Sequence, residues 1–297
     1  MTKRSILVGL GEVLWDVFPD GPKFGGAPAN FACSAAELAG QSADVHMVSG
    51  VGTDDLGRRA ISSLKDHDVN ALNVAESKFV TGRVDVQLDA AGIASYKFAE
   101  DVAWDHLTWN PTMATLAAEC DAVCYGTLAQ RTPVSRETVE RFVWSTPRTA
   151  LRVFDINLRT PYWSEEVILD SLKLANVLKL NDAELPTLAK MLGLHGSDIE
   201  QLQQINRLFS LKLTALTRGS SGALLVSASG ETSDLPAEPT TVIDTVGAGD
   251  AYTAAMVIGL LRNLPLNAIN KWASRVAAYV CSQPGATPHL PGSLKHS

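Results

Sequence analysis

The sequence predicts an α/β protein built on a mostly parallel sheet. Short apolar runs rich in Val, Ile and Leu alternate with amphipathic stretches along most of the chain, the pattern of repeated βαβ units. The 297 residues, 46% of them apolar, supply a large core, enough for one large α/β domain or two smaller ones. One stretch breaks the pattern. Residues 79–88 alternate apolar and polar side chains and read as a β-hairpin inserted between α/β units.

In chain order, strands are expected at residues 6–10, 45–49, 122–125, 152–155, 177–180 and 213–217, where short apolar runs occur. Helices are expected at 27–38, 56–65, 136–144, 182–192, 199–209, 249–261 and 266–281, where apolar residues recur at helical spacing. In the inserted hairpin, Val80, Val84, Val86 and Leu88 fall on one face and Thr81, Arg83, Asp85 and Gln87 on the other. Gly92 marks the turn and residues 95–98 the return strand. Such a hairpin is either an antiparallel edge extension or a lid, with its polar face over a substrate and its apolar face on a partner subunit.

Composition narrows the partners. Net charge is −7 with no long run of one sign, so nucleic acid is not expected and any anionic ligand must be held locally. Residues 5–11 are too short for a signal peptide and 251–261 too short to span a bilayer. Four scattered cysteines with no CxxC pair read as reduced thiols of a cytoplasmic protein. Six isolated histidines without an HExxH motif give no expectation of a protein-ligated zinc site.

The motif Asp244-Thr-Val-Gly-Ala-Gly-Asp-Ala251 places two glycines and a carboxylate at a helix start. Unpaired N–H groups and the helix dipole favour an anion there. A carboxylate would repel phosphate, so Asp250 makes sense as the acceptor of a proton from a group attacking phosphate. That combination reads as phosphoryl transfer.

Four other segments each carry two readings. Phe24-Gly-Gly-Ala-Pro-Ala-Asn30 is an ordinary turn before a helix, or glycine amides and the Asn30 amide gripping hydroxyls of a small polar ligand. Asn181-Asp-Ala-Glu184 is a helix cap or a water-mediated Mg²⁺ site. Thr217-Arg-Gly-Ser-Ser-Gly222 is a hairpin loop or a loop over a nucleotide. In Asp155-Ile-Asn-Leu-Arg159, Asn157 and Arg159 fall on one side of an extended chain, and Arg159 meets either a phosphate or Asp155. Gly9-Leu-Gly11 lacks the third glycine of a dinucleotide fingerprint, and no GxxxxGK[ST] loop occurs, so neither a nicotinamide enzyme nor a P-loop enzyme is expected.

Taken in order, these residues resemble the ribokinase-like, or PfkB, carbohydrate kinases. The resemblance rests on Gly25-Gly26-x-x-x-Asn30, the segment Gly50-Val-Gly-Thr-Asp-Asp-Leu-Gly57, Asn181-x-x-Glu184, Thr217-x-Gly219-x-x-Gly222 and Asp244-Thr-x-Gly-Ala-Gly-Asp250. Within the family, Gly25-Gly-Ala-Pro-Ala-Asn30, Asp155-x-Asn-x-Arg159 and Ala103-Trp104-Asp105 look most like fructokinases. Val246 and Tyr252 depart mildly from the family's common threonine and phenylalanine.

The resemblance implies one doubly wound α/β domain over residues 1–297, flanked by helices, with a small β lid from about 12–17 and 79–101. It implies ATP-dependent phosphorylation of a primary hydroxyl of a small sugar, fructose first, with ribose, a 2-keto-3-deoxy sugar acid or a riboside as rivals. By the same resemblance Asp250 is the base, Gly247, Ala248 and Gly249 form the anion hole, and Asp16, Gly26 and Asn30 bind the sugar. Arg159 adds a contact to phosphate or sugar. Asn181 and Glu184 form the Mg²⁺–phosphate group, Glu184 acting through water. Thr217, Gly219 and Gly222 contact the nucleotide, and Asp244 ligates a monovalent cation such as K⁺ where one is used. A homodimer through the lid and a catalytically silent sugar- or nucleoside-binding regulator remain open alternatives. No membrane partner is expected.

Overall fold

The computed structural model describes residues 4–19, 21–88 and 94–295. Its large sheet contains nine strands: β1 (Ser5–Leu10), β4 (Ala43–Gly52), β5 (Asn70–Ser77), β8 (Ala122–Tyr125), β9 (Leu151–Asp155), β10 (Val177–Asn181), β11 (Leu213–Thr217), β12 (Ala223–Ser227) and β13 (Thr232–Leu235). The small sheet contains β2 (Leu14–Phe18), β3 (Gly21–Gly25), β6 (Gly82–Leu88) and β7 (Ala94–Phe98). The helices are α1 (Ala27–Ala39), α2 (Asp55–Asp66), α3 (Pro111–Glu119), α4 (Pro133–Ser145), α5 (Glu165–Leu174), α6 (Leu185–Leu192), α7 (Asp198–Phe209), α8 (Ala248–Leu261), α9 (Leu266–Cys281) and the short α10 (Gly292–Lys295).

The large sheet runs β13-β12-β11-β10-β9-β8-β1-β4-β5. From β11 to β5 every pairing is parallel, and β12 and β13 add an antiparallel edge. Both faces are covered, and the strand period of two decides which residue goes where. Leu7, Cys124, Val153 and Val177 pack toward α1, α8 and α9, while Val8, Tyr125, Phe154 and Leu178 pack toward α3, α4, α5 and α7. Helix α8 is buried from Asp250 to Gly259 because it lies between α1 and α9; a helix apolar all round belongs inside. No described helix is long and apolar enough to cross a membrane. All four cysteines are free thiols.

The six expected strands and seven expected helices of the large sheet are present, with shifted ends. Helix α6 starts at Leu185 rather than 182, because Asn181 Oδ1 accepts from the Ala183 and Glu184 amides and forms a turn first. Strands β3, β5 and β13 and helices α3 and α5 were not expected. The glycine-rich segment 24–30 begins on strand β3, antiparallel to β2, with Phe24 and Gly25, turns at Gly26, the N-cap of α1, and continues into the helix.

The small sheet, ordered β3-β2-β6-β7, contains the expected hairpin as the antiparallel pair β6–β7, with a later start. Strand β6 begins at Gly82, and the alternation reverses there: Val80 is exposed and Thr81 is buried. Thr81 is held because Asp54, the N-cap of α2, accepts from its amide at 2.8 Å and its hydroxyl at 2.7 Å as well as from the Gly57 amide. The segment 50–57 thus fixes the root of the small sheet. Beyond Gly82, Val84 and Val86 are 1% and 4% exposed. Val84 packs with Leu14, Val102, Trp104, Leu128 and Ala129 of its own chain, whereas Arg83 is exposed. Val84 and Val86 of the apolar face are therefore covered within the chain, while Val80 stays exposed. The side chains of Gln87 and Leu88, and Gly92, lie outside the described residues.

Below this face, Asp105 and Arg131 form a buried two-point pair, Nε to Oδ1 and Nη2 to Oδ2, each at 2.7 Å. The Arg131 guanidinium also stacks on Trp104 and Tyr162. The Ala103-Trp104-Asp105 motif is thereby an anchor between the two sheets.

Candidate active site

The parallel strands of the large sheet, β11 to β5, deliver their carboxyl ends to one edge, where open α/β sheets bind ligands. Glu12 follows β1, Asp155 ends β9, Asn181 ends β10 and Thr217 ends β11. Helix α8 starts against the same edge. Its N-cap, Gly247, has φ 79°, and a Cβ there would meet the Ala286 carbonyl at 2.3 Å, so glycine is required on both counts. The following amides of the first turn have no partner within the helix.

Asp250, in that first turn, is buried. Asn30 Nδ2, from the first turn of α1, donates to its Oδ2 at 2.8 Å. Burial, reinforced by the nearby Asp155 charge, pushes the Asp250 carboxyl up to about 7, against the opposing pull of Lys179, Asn30 and Arg159. A carboxylate with that value suits proton transfer near neutral pH.

Lys179 was not anticipated. It is the charged residue of strand β10, buried beside Asp155 with Nζ 3.1 Å from Oδ1. Burial opposes its charge, but Asp155, Glu184 and Asp250 outweigh that and raise its pKa above the ordinary lysine value. The other oxygen of Asp155 accepts from Thr253 of α8 at 3.0 Å. A Cβ on Gly249 would lie 3.0 Å from Lys179 Nζ, so the cation sits directly beneath the start of α8. A charged residue within an apolar strand run was the one available sequence signal. The alternative Asp155–Arg159 pair is corrected: Asp155 pairs with Lys179.

Arg159 is exposed, 3.5 Å from Asn157 Oδ1. Its charge acts on Glu12, Asp16 and Asp250. Asn157 is not extended; its φ is 45°, a conformation asparagine tolerates. Asp16 lies on β2, where a Cβ added at Gly25 would stand 3.2 Å from its Oδ2. Desolvation lifts it to about 6, offset in part by Arg159. Glu12, also unanticipated, is pushed to about 7 by burial, with Asp250 adding to the rise. Gly26 backs onto Glu12, since a Cβ on it would meet the Glu12 carbonyl at 2.6 Å. Glu12 Oε2, Asn30 Oδ1 and Asn157 Nδ2 are buried without a protein partner, polar atoms that suit a hydroxyl-rich ligand.

Glu184 is buried, with Oε1 accepting from the Leu158 amide at 3.0 Å and Oε2 from the Asn181 amide at 2.8 Å. Each oxygen keeps a second lone pair. Burial raises its pKa, Lys179 opposing. Asp244 is engaged similarly: Oδ1 accepts from the Val246 amide and Oδ2 from the Gly285 amide.

Next to these groups lies a cleft of about 760 Å³. Asn181, Thr217, Gly219 and Gly222 line it together with Val242, Ala277, Ala278, Ala248 and Gly249. The sites expected for nucleotide contacts are therefore gathered in one cavity that opens onto the start of α8. Asp16, Gly26, Asn30 and Arg159 do not line this cleft; Asn30 bonds to Asp250 and the Arg159 charge acts on it.

Residues 21–292 match the pfkB family of carbohydrate kinases. An uncharacterized sugar kinase from Pyrococcus horikoshii is 33% identical over 284 residues, covering 92% of this chain and 86% of that protein. Its structure in complex with ATP aligns with a TM-score of 0.79 at 29% identity, over 95% of this chain and 94% of that one. A fructokinase from Klebsiella pneumoniae is 30% identical over 267 residues, 84% of this chain and 83% of its own. The fructokinase of Vibrio cholerae O395, in its fructose-, ADP- and calcium-bound form, shares the fold with a TM-score of 0.80 at 24% identity, over 98% and 97% of the two chains.

Proposed function

The chain belongs to the pfkB family of carbohydrate kinases, and on that premise we propose that it transfers the γ-phosphoryl group of ATP to a primary hydroxyl of a small sugar, fructose first among the candidates. The observation that carries this reading is Asp250: a buried carboxylate at a helix start, held by Asn30 and raised to about 7. Its neighbours Ala248 and Gly249 line the cleft of about 760 Å³, and Asn30, which donates to it, keeps a buried Oδ1 without a protein partner. Fructokinase relatives support fructose over its rivals.

In this reading Asp250 takes the proton of the sugar hydroxyl as its oxygen attacks. Asp16, Asn30 and the Gly26 backbone orient the sugar. The amides at Gly247, Ala248, Gly249 and Asp250 meet charge on the transferred group, and Lys179 adds a fixed positive charge under the same turn. Thr217, Gly219, Gly222 and Asn181 hold the nucleotide. Arg159 faces the incoming anion from the side of the sugar. The small sheet acts as a lid that excludes water as a competing acceptor.

Mg²⁺ fits the hard, all-oxygen donors here, with the free lone pairs of the Glu184 carboxylate reaching it through water. When bound it offsets phosphate charge. Asp244, pinned between two loops beside the α8 start, is the residue that would face a K⁺ ion. We place the activity in the cytoplasm, where ATP is supplied. A homodimer through the lid would use surface other than Val84 and Val86, which are covered within the chain, such as the exposed Val80.

The test is ADP release over a panel of sugars and nucleosides, with Asp250→Asn as the blank. The variant should fold and lose at least about 10²–10⁴-fold in turnover, the usual worth of a general base. Near-normal turnover in Asp250→Asn would remove the assignment of the base. A better kcat/KM for ribose, a sugar acid or a riboside would replace fructose. Absence of ADP release across the whole panel would favour the silent regulator.

A further inference from the structure

Remote from the cleft, three residues that the sequence keeps far apart converge. Glu37 lies near the carboxyl end of α1, His67 is the C-cap of α2, and His289 lies between α9 and α10. His67 Nδ1 is 3.3 Å from Glu37 Oε1, and His289 Nδ1 is 2.5 Å from the same oxygen. The three atoms all lie within 4.8 Å of one another, and the two rings are 4.6 Å apart. The Glu37 and His67 side chains are only 10% and 9% exposed, whereas His289 is 70% exposed.

We propose that Glu37, His67 and His289 form a second-site centre for a divalent transition metal ion, Zn²⁺ in chemical class. Bonds of about 2.0–2.1 Å in a tetrahedral shell put ligand atoms roughly 3.3 Å apart. The present spacing reaches that with small side-chain rotations. Two imidazole nitrogens and one carboxylate oxygen suit Zn²⁺ far better than Mg²⁺, which takes oxygen shells. Three protein ligands leave the fourth position to water. The remaining oxygen of Glu37, Oε2, accepts from Lys295 Nζ at 2.6 Å, an outer partner that fixes the carboxylate as metal-site partners do.

This centre is separate from phosphoryl transfer. Glu37 lies seven residues beyond Asn30 on α1, about 10 Å along the helix axis. A bound ion ties the C-terminal segment carrying His289 and Lys295 to α1 and α2.

The test uses the full chain freed of metal by chelation and dialysis. Co²⁺ is titrated as a spectroscopic probe and Zn²⁺ by calorimetry and by competition with Co²⁺. One equivalent should bind, with the strong visible absorption of four-coordinate Co²⁺. His289→Gln, at an exposed position, should fold normally and bind on the order of 10²-fold more weakly, since even outer-shell losses cost about 10–100-fold. Glu37→Gln should weaken binding similarly. No stoichiometric binding, or equal binding by the parent and His289→Gln, overturns the proposal. Neither readout depends on kinase activity.

Discussion

Replacing Lys179 with methionine is the sharpest probe of the buried charges. Met matches the length of the stem and removes only the charge. Lys179 and Asp155 side chains are each 5% exposed, 3.1 Å apart, and Glu184 and Asp250 lie close enough to raise the lysine pKa. Removing one partner of a buried pair leaves an uncompensated charge and costs about 3–5 kcal/mol. At roughly 2 °C of Tm per kcal/mol for a large domain, the variant should melt about 6–10 °C lower. Urea unfolding followed by tryptophan fluorescence would give the same loss as a lower midpoint with unchanged slope. Asp155→Leu added to Lys179→Met should recover part of it, with a coupling of up to about 3 kcal/mol, because the Thr253 hydroxyl can direct its single proton to the Gly249 carbonyl. Lys179 also holds the Asp250 pKa down, so residual activity in Lys179→Met should need a higher pH. A variant within about 1 kcal/mol of the parent, or a double variant costing the sum of the singles, would refute the buried pair as described.

In the parent, kcat/KM for the sugar should rise through about pH 7 as Asp250 ionises and vanish as pH falls below it; a flat profile between pH 6 and 8 would reject Asp250 as the titrating base. The raised carboxylate means that the folded state binds the Asp250 proton more tightly than the unfolded one. That penalty on stability is absent below about pH 3.8 and complete above about pH 7. Asp250→Asn should therefore gain more thermal stability at pH 8 than at pH 5, read by calorimetry. Asp16→Asn should raise KM for the sugar by about 10–100-fold, the worth of a hydrogen bond to a charged group, with little change in KM for ATP. Asp54→Ala removes the cap of α2 and the bonds to Thr81; it should cost about 1–2 kcal/mol and speed amide exchange at Thr81 more than in β1.

The alternation of strand and helix was legible because burial on both faces of a parallel sheet leaves continuous apolar runs, as in Ala122–Tyr125. Antiparallel edge strands such as Thr232–Leu235, with exposed alternate residues, leave weaker runs and were missed. The hairpin was legible in its period but not in its start. Thr81 is drawn inward by Asp54, 27 residues away, and no local pattern reports such a bond.

The sequence alone determined the chemistry of the glycine-bounded helix start: two glycines, a carboxylate and an anion-favouring turn are local properties of 244–251. It also determined which motifs could line a nucleotide cleft. Only the tertiary structure decided that Asp250 is raised to about 7, because that depends on Asn30, Lys179 and Asp155 arriving from other elements. Only the tertiary structure gave Asp155 a lysine rather than an arginine, and turned histidines that look isolated at 67 and 289 into neighbours across Glu37. Local backbone chemistry is written in adjacent residues; electrostatic environment and ligand sets come from groups that only the packing of distant segments brings within a few ångströms.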